Sequence, residues 1–535
     1  MLNKNKLIKA IISKYPEICV LEDSSEGVIF ELNGGKYEIF IYNDDVFPIV
    51  CTVDNYKNSP HFMYNCRVID GKSYQSICLF EAETLIQYIH TDEEKIRLCI
   101  EQLIKLTNMS KRKMIEEYHK EFIYYWNIAC KNRNRYADNK YQLFLDNEDS
   151  YQWLEQQIFK NEYIRMTTKK RFFNDSNRKV CVDRIPILYL PLIDIRMLVP
   201  PLNGKPWGAS EICDIIRGIT YQRISSDAYR EIVESSYSKK SIVLVFKLNT
   251  LYFGCIVEFK NPGTAKLICK FESQIEQVIP IKIKRCDFEF LNNQIGNKTY
   301  DKKISIIGAG SLGSYIAGEL VRAGYKNIDI IDGDNYGYEN TFRHRIGYFS
   351  PGYAKSKILQ SELNWLHPEL NVKGINKNLD ANTFKECNID SADIVIFTVG
   401  SSDVQLQLNK VLRKNKFNKT IIYTWLEYDG ETSHVVVINN ADKGCFECLY
   451  TNEQGDLCGN IINKVTYKDV KYIRDGCGGT RIPYGNKTLL NTTSLLLKAL
   501  SESNDNNTIY SYVKDTVICE DFPYNERCNC CGICE

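Results

Sequence analysis

Residues 302–347 read KKISIIGAGSLGSYIAGELVRAGYKNIDIIDGDNYGYENTFRHRIG. The apolar run Ile304–Ile307 has the length of a buried strand, and Gly308, Gly310 and Gly313 follow it. The stretch after the glycines has helical apolar spacing, and "NIDIID" predicts a second strand ending at Asp332. Strand, glycine turn, helix and strand in that order predict a parallel sheet. The glycines allow a tight turn and close backbone approach to phosphate. The helix N-terminus adds unpaired N–H groups and a favourable dipole. Asp332 falls where a ribose hydroxyl is held. To this point NAD and ATP are served equally.

The next residues separate them. Asp334, Asn340, Arg343 and Lys355 follow in order. A dinucleotide site has little use for this set after its second strand. A triphosphate does, because Arg grips it bidentately and Lys supplies a compact charge. In this ordered set the chain resembles the ThiF/MoeB superfamily, which includes the ubiquitin-activating enzymes. The family pattern is a glycine turn, D-x-D, N-x-x-R and G-x-x-K. Here these are Gly308-Gly310-Gly313, Asp332-Asp334, Asn340-Arg343 and Gly352-Lys355. The resemblance covers about residues 299–535 and implies an α/β Rossmann-like adenylation domain. It implies ATP and magnesium, with Asp332 on the ribose and Asn340, Arg343 and Lys355 on the phosphates. It also implies adenylation of the C-terminal carboxylate of a small protein. One departure stands out. The family's magnesium-binding Asp falls near Gly400 or Ser401 in "ADIVIFTVGSSD", and Asp403 is shifted from that position.

Cysteines cluster in the same region. "GCFECLY" contains Cys445 and Cys448, and the tail "CNCCGICE" contains Cys531 and Cys534, with Cys528 and Cys530 nearby. Two C-x-x-C pairs can close a tetrahedral thiolate zinc site. Such a site contributes on the order of 10 kcal/mol to folding. Resemblance to ThiF/MoeB proteins favours structural zinc here. Between the pairs lie Cys458 and Cys477. Cys477 sits in the glycine-rich "RDGCGGTRIPYG" beside Arg474 and Arg481, where positive charge favours a thiolate. It is the preferred catalytic thiol of this region, with Cys458 in "GDLCGN" the alternative.

The first 130 residues predict an α+β domain. A helix opens it, strand-like runs "GVIFEL", "KYEIFIY" and "FPIVCTV" follow, and helical stretches close it. This order resembles ubiquitin-conjugating enzymes, and "SICLF" puts Cys78 in the loop after the sheet. Pro60-His61 replaces the family's His-Pro-Asn, so no oxyanion-stabilising Asn is assigned. Residues 131–298 predict a mixed α/β linker domain without a readable motif. A conjugating-like part, a linker and an activating part together resemble the fused conjugating–activating proteins of bacterial CBASS anti-phage operons, the Cap-two family. That resemblance implies a homodimer and a protein partner, a cGAS-like nucleotidyltransferase. The partner's terminal carboxylate is activated, passed between cysteines and joined to an amine.

Composition bounds these readings. The chain has 535 residues, 44% of them hydrophobic, which is ample for several cores. With 68 basic and 67 acidic residues there is no global field for nucleic acid or an anionic membrane. The most apolar stretch, "SIVLVFKLNTLYFGCIVEF", carries Lys247 and Asn249 and predicts two strands and a turn. Its 21 cysteines belong to a chain large enough to fold without disulfides, and a reducing, cytoplasmic, bacterial setting is expected. Three rivals remain. One is a sulfur-carrier adenylyltransferase with Cys78 inert, another an NAD-dependent oxidoreductase, and the third an adenylation-fold interaction scaffold.

Overall fold

The computed structural model describes residues 2–531 apart from 25–26, 42–46, 54–58, 70–71, 81–90, 132–140, 160–162, 169–170, 175–179, 193–197, 203–204, 223–239, 262–271, 349, 466–472, 475–479 and 503–504. The chain divides into two compact units. One comprises Met1–Arg171 with Lys179–Arg285, the other Phe172–Arg178 with Cys286–Glu535. None of the described helices is long and apolar enough to cross a membrane.

The first unit contains two sheets. In the first sheet the strands lie in the order Ile18–Asp23, Gly27–Leu32, Gly35–Phe40, Ile49–Thr52, Lys72–Ile77 and Phe62–Ile69, each antiparallel to its neighbour. Helices Leu2–Ile12 and Asp92–Thr107 cover one face. Ile8, Ile11 and Ile12 meet Ile96, Cys99, Ile100 and Leu103 over Val28, Phe30, Ile39 and Val50. The helical residues repeat at three- and four-residue intervals, and the strand residues alternate, as one-sided burial requires. Thr91 and Glu94 form a capping box that starts the second helix.

The second sheet has eight strands and a mixed pattern. Ser241–Leu248 and Leu251–Phe259 form the expected hairpin, turning at Asn249 in the left-handed region. Helix Phe122–Lys131 packs here, although the sequence assigns its residues to the conjugating-like domain. Its Phe122, Trp126 and Cys130 enter this sheet's core, and the Trp126 indole donates to Ile281 O at 3.0 Å. The two N-terminal sequence regions therefore fall in one unit.

The main segment of the second unit runs from Cys286, ahead of the expected residue 299. Asp287 caps the helix Phe288–Gln294, Glu369 accepts from Phe288 N–H, and the ring of His367 lies 2.7 Å from Cys286 O. These contacts tie residues 286–294 to the C-terminal sheet. That sheet has eight strands in the order Asn371–Ile375, Tyr325–Ile331, Tyr300–Ile307, Ile394–Phe397, Thr420–Leu426, Ser433–Ile438, Thr508–Val513 and Thr516–Asp521. The first five are parallel and the rest antiparallel. Ile306 and Ile330 face one core, Ile307 and Ile331 the other, which explains the unbroken apolar runs. The chain runs outward from Tyr300–Ile307 in one direction, then returns to Ile394–Phe397 on its other side. Ligands of open α/β sheets bind at such a reversal, beyond the carboxyl ends of the strands.

Candidate nucleotide and thiol sites

The glycine turn stands at that reversal. Gly308 has φ +102°, a conformation that L side chains rarely adopt. A Cβ on Gly313 would lie 2.1 Å from Gly308 O and 2.6 Å from Thr398 Oγ1. Strand end and helix therefore meet backbone to backbone. The Thr398 hydroxyl donates to Gly308 O at 2.8 Å and fixes the approach from the neighbouring strand. Gly310 is different. Its Cβ would meet nothing within 4 Å. It is the N-cap of helix Ser311–Arg322 and offers no side-chain cap. The open space and the uncapped N–H groups suit a phosphate.

The residues expected around a triphosphate converge here. Asp332 accepts from Ala309 N–H at 2.6 Å and from Asp334 N–H at 2.7 Å. Burial pushes its carboxyl up, while the two amides and Lys355 pull it down. Lys355 Nζ pairs with Asp334 at 3.0 Å. Asn340 is buried, and its side-chain oxygen accepts from Gly337 N–H, fixing the turn that precedes Arg343. Arg343 Nη1 lies 3.5 Å from Ser311 Oγ, in the first turn of the helix, and 3.5 Å from the Tyr484 hydroxyl. His344 is buried, and burial pushes its imidazole down to about 4. Its Nδ1 accepts from Ile346 N–H, so the neutral ring carries its proton on Nε2 and donates to Ala309 O at 2.6 Å. His344 thus braces the glycine turn from behind. Ser401 caps helix Ser402–Lys414, and Asp403 is exposed in the first turn of that helix. Sequence reasoning missed Ser311 and Thr398, which carry no motif of their own.

The cysteines gather as a four-sulfur cluster: Cys445, Cys448, Cys528 and Cys531, with sulfurs within 4.8 Å of one another. The sequence assigns Cys534 to this site beside Cys531; Cys534 lies outside the described residues, and among those described Cys528 joins the set. Cys445 and Cys528 sulfurs are 3.8 Å apart, Cys448 and Cys531 3.3 Å. Zinc–sulfur bonds of about 2.3 Å in a tetrahedron separate sulfurs by about 3.8 Å. The Asn409 amide donates to Cys445 and Cys530 sulfurs at 3.4 and 3.2 Å, a second layer of support that thiolate ligands commonly have. The donor set fits zinc.

The thiols expected to react differ in their surroundings. Cys477 lies outside the described residues. Cys458 is exposed, with its N–H bonded to Tyr450 O. Cys78 is half-buried and follows strand Lys72–Ile77 directly. His61 precedes the partner strand, Phe62 pairs with Ile77, and Cys78 N–H donates to His61 O at 2.8 Å. The two ends of one hairpin thus bring His61 to Cys78.

The C-terminal unit is an α/β domain of ThiF/MoeB-like, Rossmann-like fold. Residues 287–472 match the ThiF family. The ATP-dependent ubiquitin transferase-like protein Cap2 of Escherichia coli (strain TW11681) is 24% identical over 341 residues, covering 58% of this chain and 56% of that protein. Its namesake from Enterobacter hormaechei subsp. hoffmannii (strain UCI 50) is 38% identical over 80 residues, 15% of this chain and 13% of that protein. SUMO-activating enzyme subunit 2 of Dictyostelium discoideum is 26% identical over 161 residues, 29% and 23% of the two chains. The crystal structure of E. coli MccB aligns with a TM-score of 0.34 and 18% identity, covering 43% of this chain and 65% of that one. The chain spans about half the length of the first curated relatives it matches. Residues 287–472 thus carry a ThiF-family domain, and the chain is similar to Cap2 proteins over part of its length.

Two expectations follow from the geometry. Gly310→Ala should fold normally yet lose the rise in melting temperature that ATP confers, because its methyl fills the phosphate space. Gly313→Ala should instead cost about 1–3 kcal/mol of stability without ligand. An ATP-induced rise retained in Gly310→Ala would contradict the site. Elemental analysis should find one zinc per chain, lost in Cys528→Ser and kept in Cys534→Ser. The reverse pattern would restore the sequence-based pairing.

Proposed function

We propose that this chain uses ATP to activate the C-terminal carboxylate of a protein partner and hands the acyl group through two cysteines to an amine. The observation that carries the reading is the convergence of Asp332, Arg343 and Lys355 on a glycine turn whose middle glycine opens on free space. Asp332 would hold the ribose, and Asn340, Arg343 and Lys355 the phosphate side. Magnesium would neutralise triphosphate charge, with Asp334 and Asp403 the available carboxylates. Zinc on Cys445, Cys448, Cys528 and Cys531 would fasten residues 528–531 to the domain.

The chemistry balances in four steps. A carboxylate oxygen of the partner attacks the α-phosphorus and pyrophosphate leaves. The Cys477 thiolate, with Cys458 the alternative, attacks the acyl carbon and AMP leaves. The Cys78 thiolate then takes the acyl group and frees the first thiol. Finally an amine, a lysine side chain in this reading, attacks the thioester, forms the amide and frees Cys78. Splitting one hard transfer into easier ones is the advantage of covalent catalysis.

The Cap2 names of the relatives support an ATP-dependent transferase reading. The partner proposed is a cGAS-like nucleotidyltransferase, the setting CBASS anti-phage defence, and the assembly a homodimer. The juxtaposition of Cys78 with His61 favours the relay over a sulfur-carrier adenylyltransferase, in which Cys78 has no task.

Pyrophosphate exchange into ATP should require a partner with a free C-terminal carboxylate. Arg343→Ala should slow it about 100-fold, as expected for loss of a charged donor to a reacting phosphate. Exchange that proceeds without the partner would refute carboxylate activation. Cys477→Ala should stop the pathway at the adenylate and Cys78→Ala at the first thioester. Conjugates formed by both variants would disprove the relay.

A further inference from the structure

The surroundings of Cys78 contain more than a histidine. Helices Lys111–Lys120 and Phe122–Lys131 meet at Glu121, and their junction faces the open end of the hairpin. His61 Nε2 lies 3.2 Å from Glu117 Oε2, and His61 Nδ1 lies 2.9 Å from Glu121 Oε1. Carboxylates only accept, so a ring that satisfies both must carry a proton on each nitrogen. That form is the imidazolium. All three side chains are mostly enclosed, at 20%, 14% and 19% exposure for His61, Glu117 and Glu121. The ion pairs are thus less screened than surface pairs.

The backbone is arranged to the same end. His61 has φ +69°, a left-handed conformation that a non-glycine residue holds only where the surroundings enforce it. Here its N–H donates to Glu121 Oε2 at 2.9 Å and its carbonyl accepts from Cys78 N–H at 2.8 Å. Glu121 therefore grips both the ring and the backbone of one residue. Such strain beside a nucleophilic thiol points to function.

We propose that His61 serves Cys78 as a fixed positive charge, held by the positioning residues Glu117 and Glu121, and not as a proton-accepting base. This role rests on the reading of Cys78 as the second acyl carrier. The contact with Cys78 and then the Glu121 carboxylate push the imidazole up to about 10, against the effect of burial. Burial pushes Glu117 up, but its bonds from Lys120 and His61 outweigh that and hold it below the usual range. The charged groups facing the ring are thus Glu117, Glu121 and the Cys78 thiol, with Lys120 behind Glu117 at 2.7 Å. A ring charged through neutral pH cannot accept the proton of an attacking amine. What it can do is stabilise negative charge on the sulfur, both before Cys78 accepts the acyl group and when it leaves.

Hydrogen exchange at the histidine C2 position, read peptide by peptide in the full chain by mass spectrometry, tests the charge. The rate of an ordinary histidine climbs with pH and levels off above its pKa near 6.5. For His61 the rate should still be climbing at about pH 8.5, beyond that ordinary pKa. In the double variant Glu117→Gln/Glu121→Gln it should level off near neutrality. Levelling near pH 6.5 in the natural chain would overturn the proposal. Iodoacetamide modification of Cys78 at pH 7.5 should slow about tenfold or more in His61→Asn, which tolerates the left-handed backbone while losing the charge. An unchanged rate would also overturn it. These readouts are separate from the relay: conjugation that persists in Cys78→Ala refutes the relay and leaves the charge measurement standing. A levelling curve refutes the fixed charge and leaves the relay standing.

Discussion

The C-terminal unit depends on one close approach. The strand ending at Ile307 and the helix starting at Ser311 meet through Gly308 O and Gly313, with no side chain between them. Thr398 bonds the same carbonyl from the adjacent strand, and His344 holds the next one. With both carbonyls of the turn committed to the protein, the amides at the helix start are left facing outward. An anion bound there meets N–H groups that need not reorganise. Everything assigned to nucleotide chemistry is placed relative to this turn: Asp332 on the Ala309 amide, Arg343 near Ser311, Lys355 through Asp334.

Much of this was legible in the sequence because it is local. Glycine spacing, the end of the second strand at Asp332 and the order of Asn340, Arg343 and Lys355 all lie within 48 consecutive residues, 308–355. Thr398 escaped because its partner lies 90 residues away and is a backbone carbonyl. Which tail cysteines complete the sulfur cluster was hard to read for a definite reason. The tail "CNCCGICE" contains two overlapping C-x-x-C spacings, 528/531 and 531/534, and composition cannot choose between them. Among the described residues, Cys528 is buried against Cys445 and Cys448, while Cys534 lies outside them. The boundary of the second unit was read late because the helix at Phe288 precedes the motif and is held by Glu369 and His367, residues of a distant loop.

The N-terminal unit shows the complementary case. Cys78 and its neighbour His61 could be singled out from the order of strands, since a hairpin brings its own ends together. Glu117 and Glu121 could not, because they come from a helix and its C-terminal junction, 56 and 60 residues further on. In sequence they look like the charged face of an amphipathic helix. Only the fold turns them inward onto one ring. Their effect is to change what that histidine is, from a group that titrates near neutrality to a standing charge.

The proposed function rests on reading the glycine turn as a triphosphate site rather than a dinucleotide site. Calorimetric titration of the full chain with ATP and, separately, with NAD tests it most directly. The account predicts saturable heat with ATP in the presence of magnesium and none with NAD. Tight binding of NAD by a chain indifferent to ATP would contradict it.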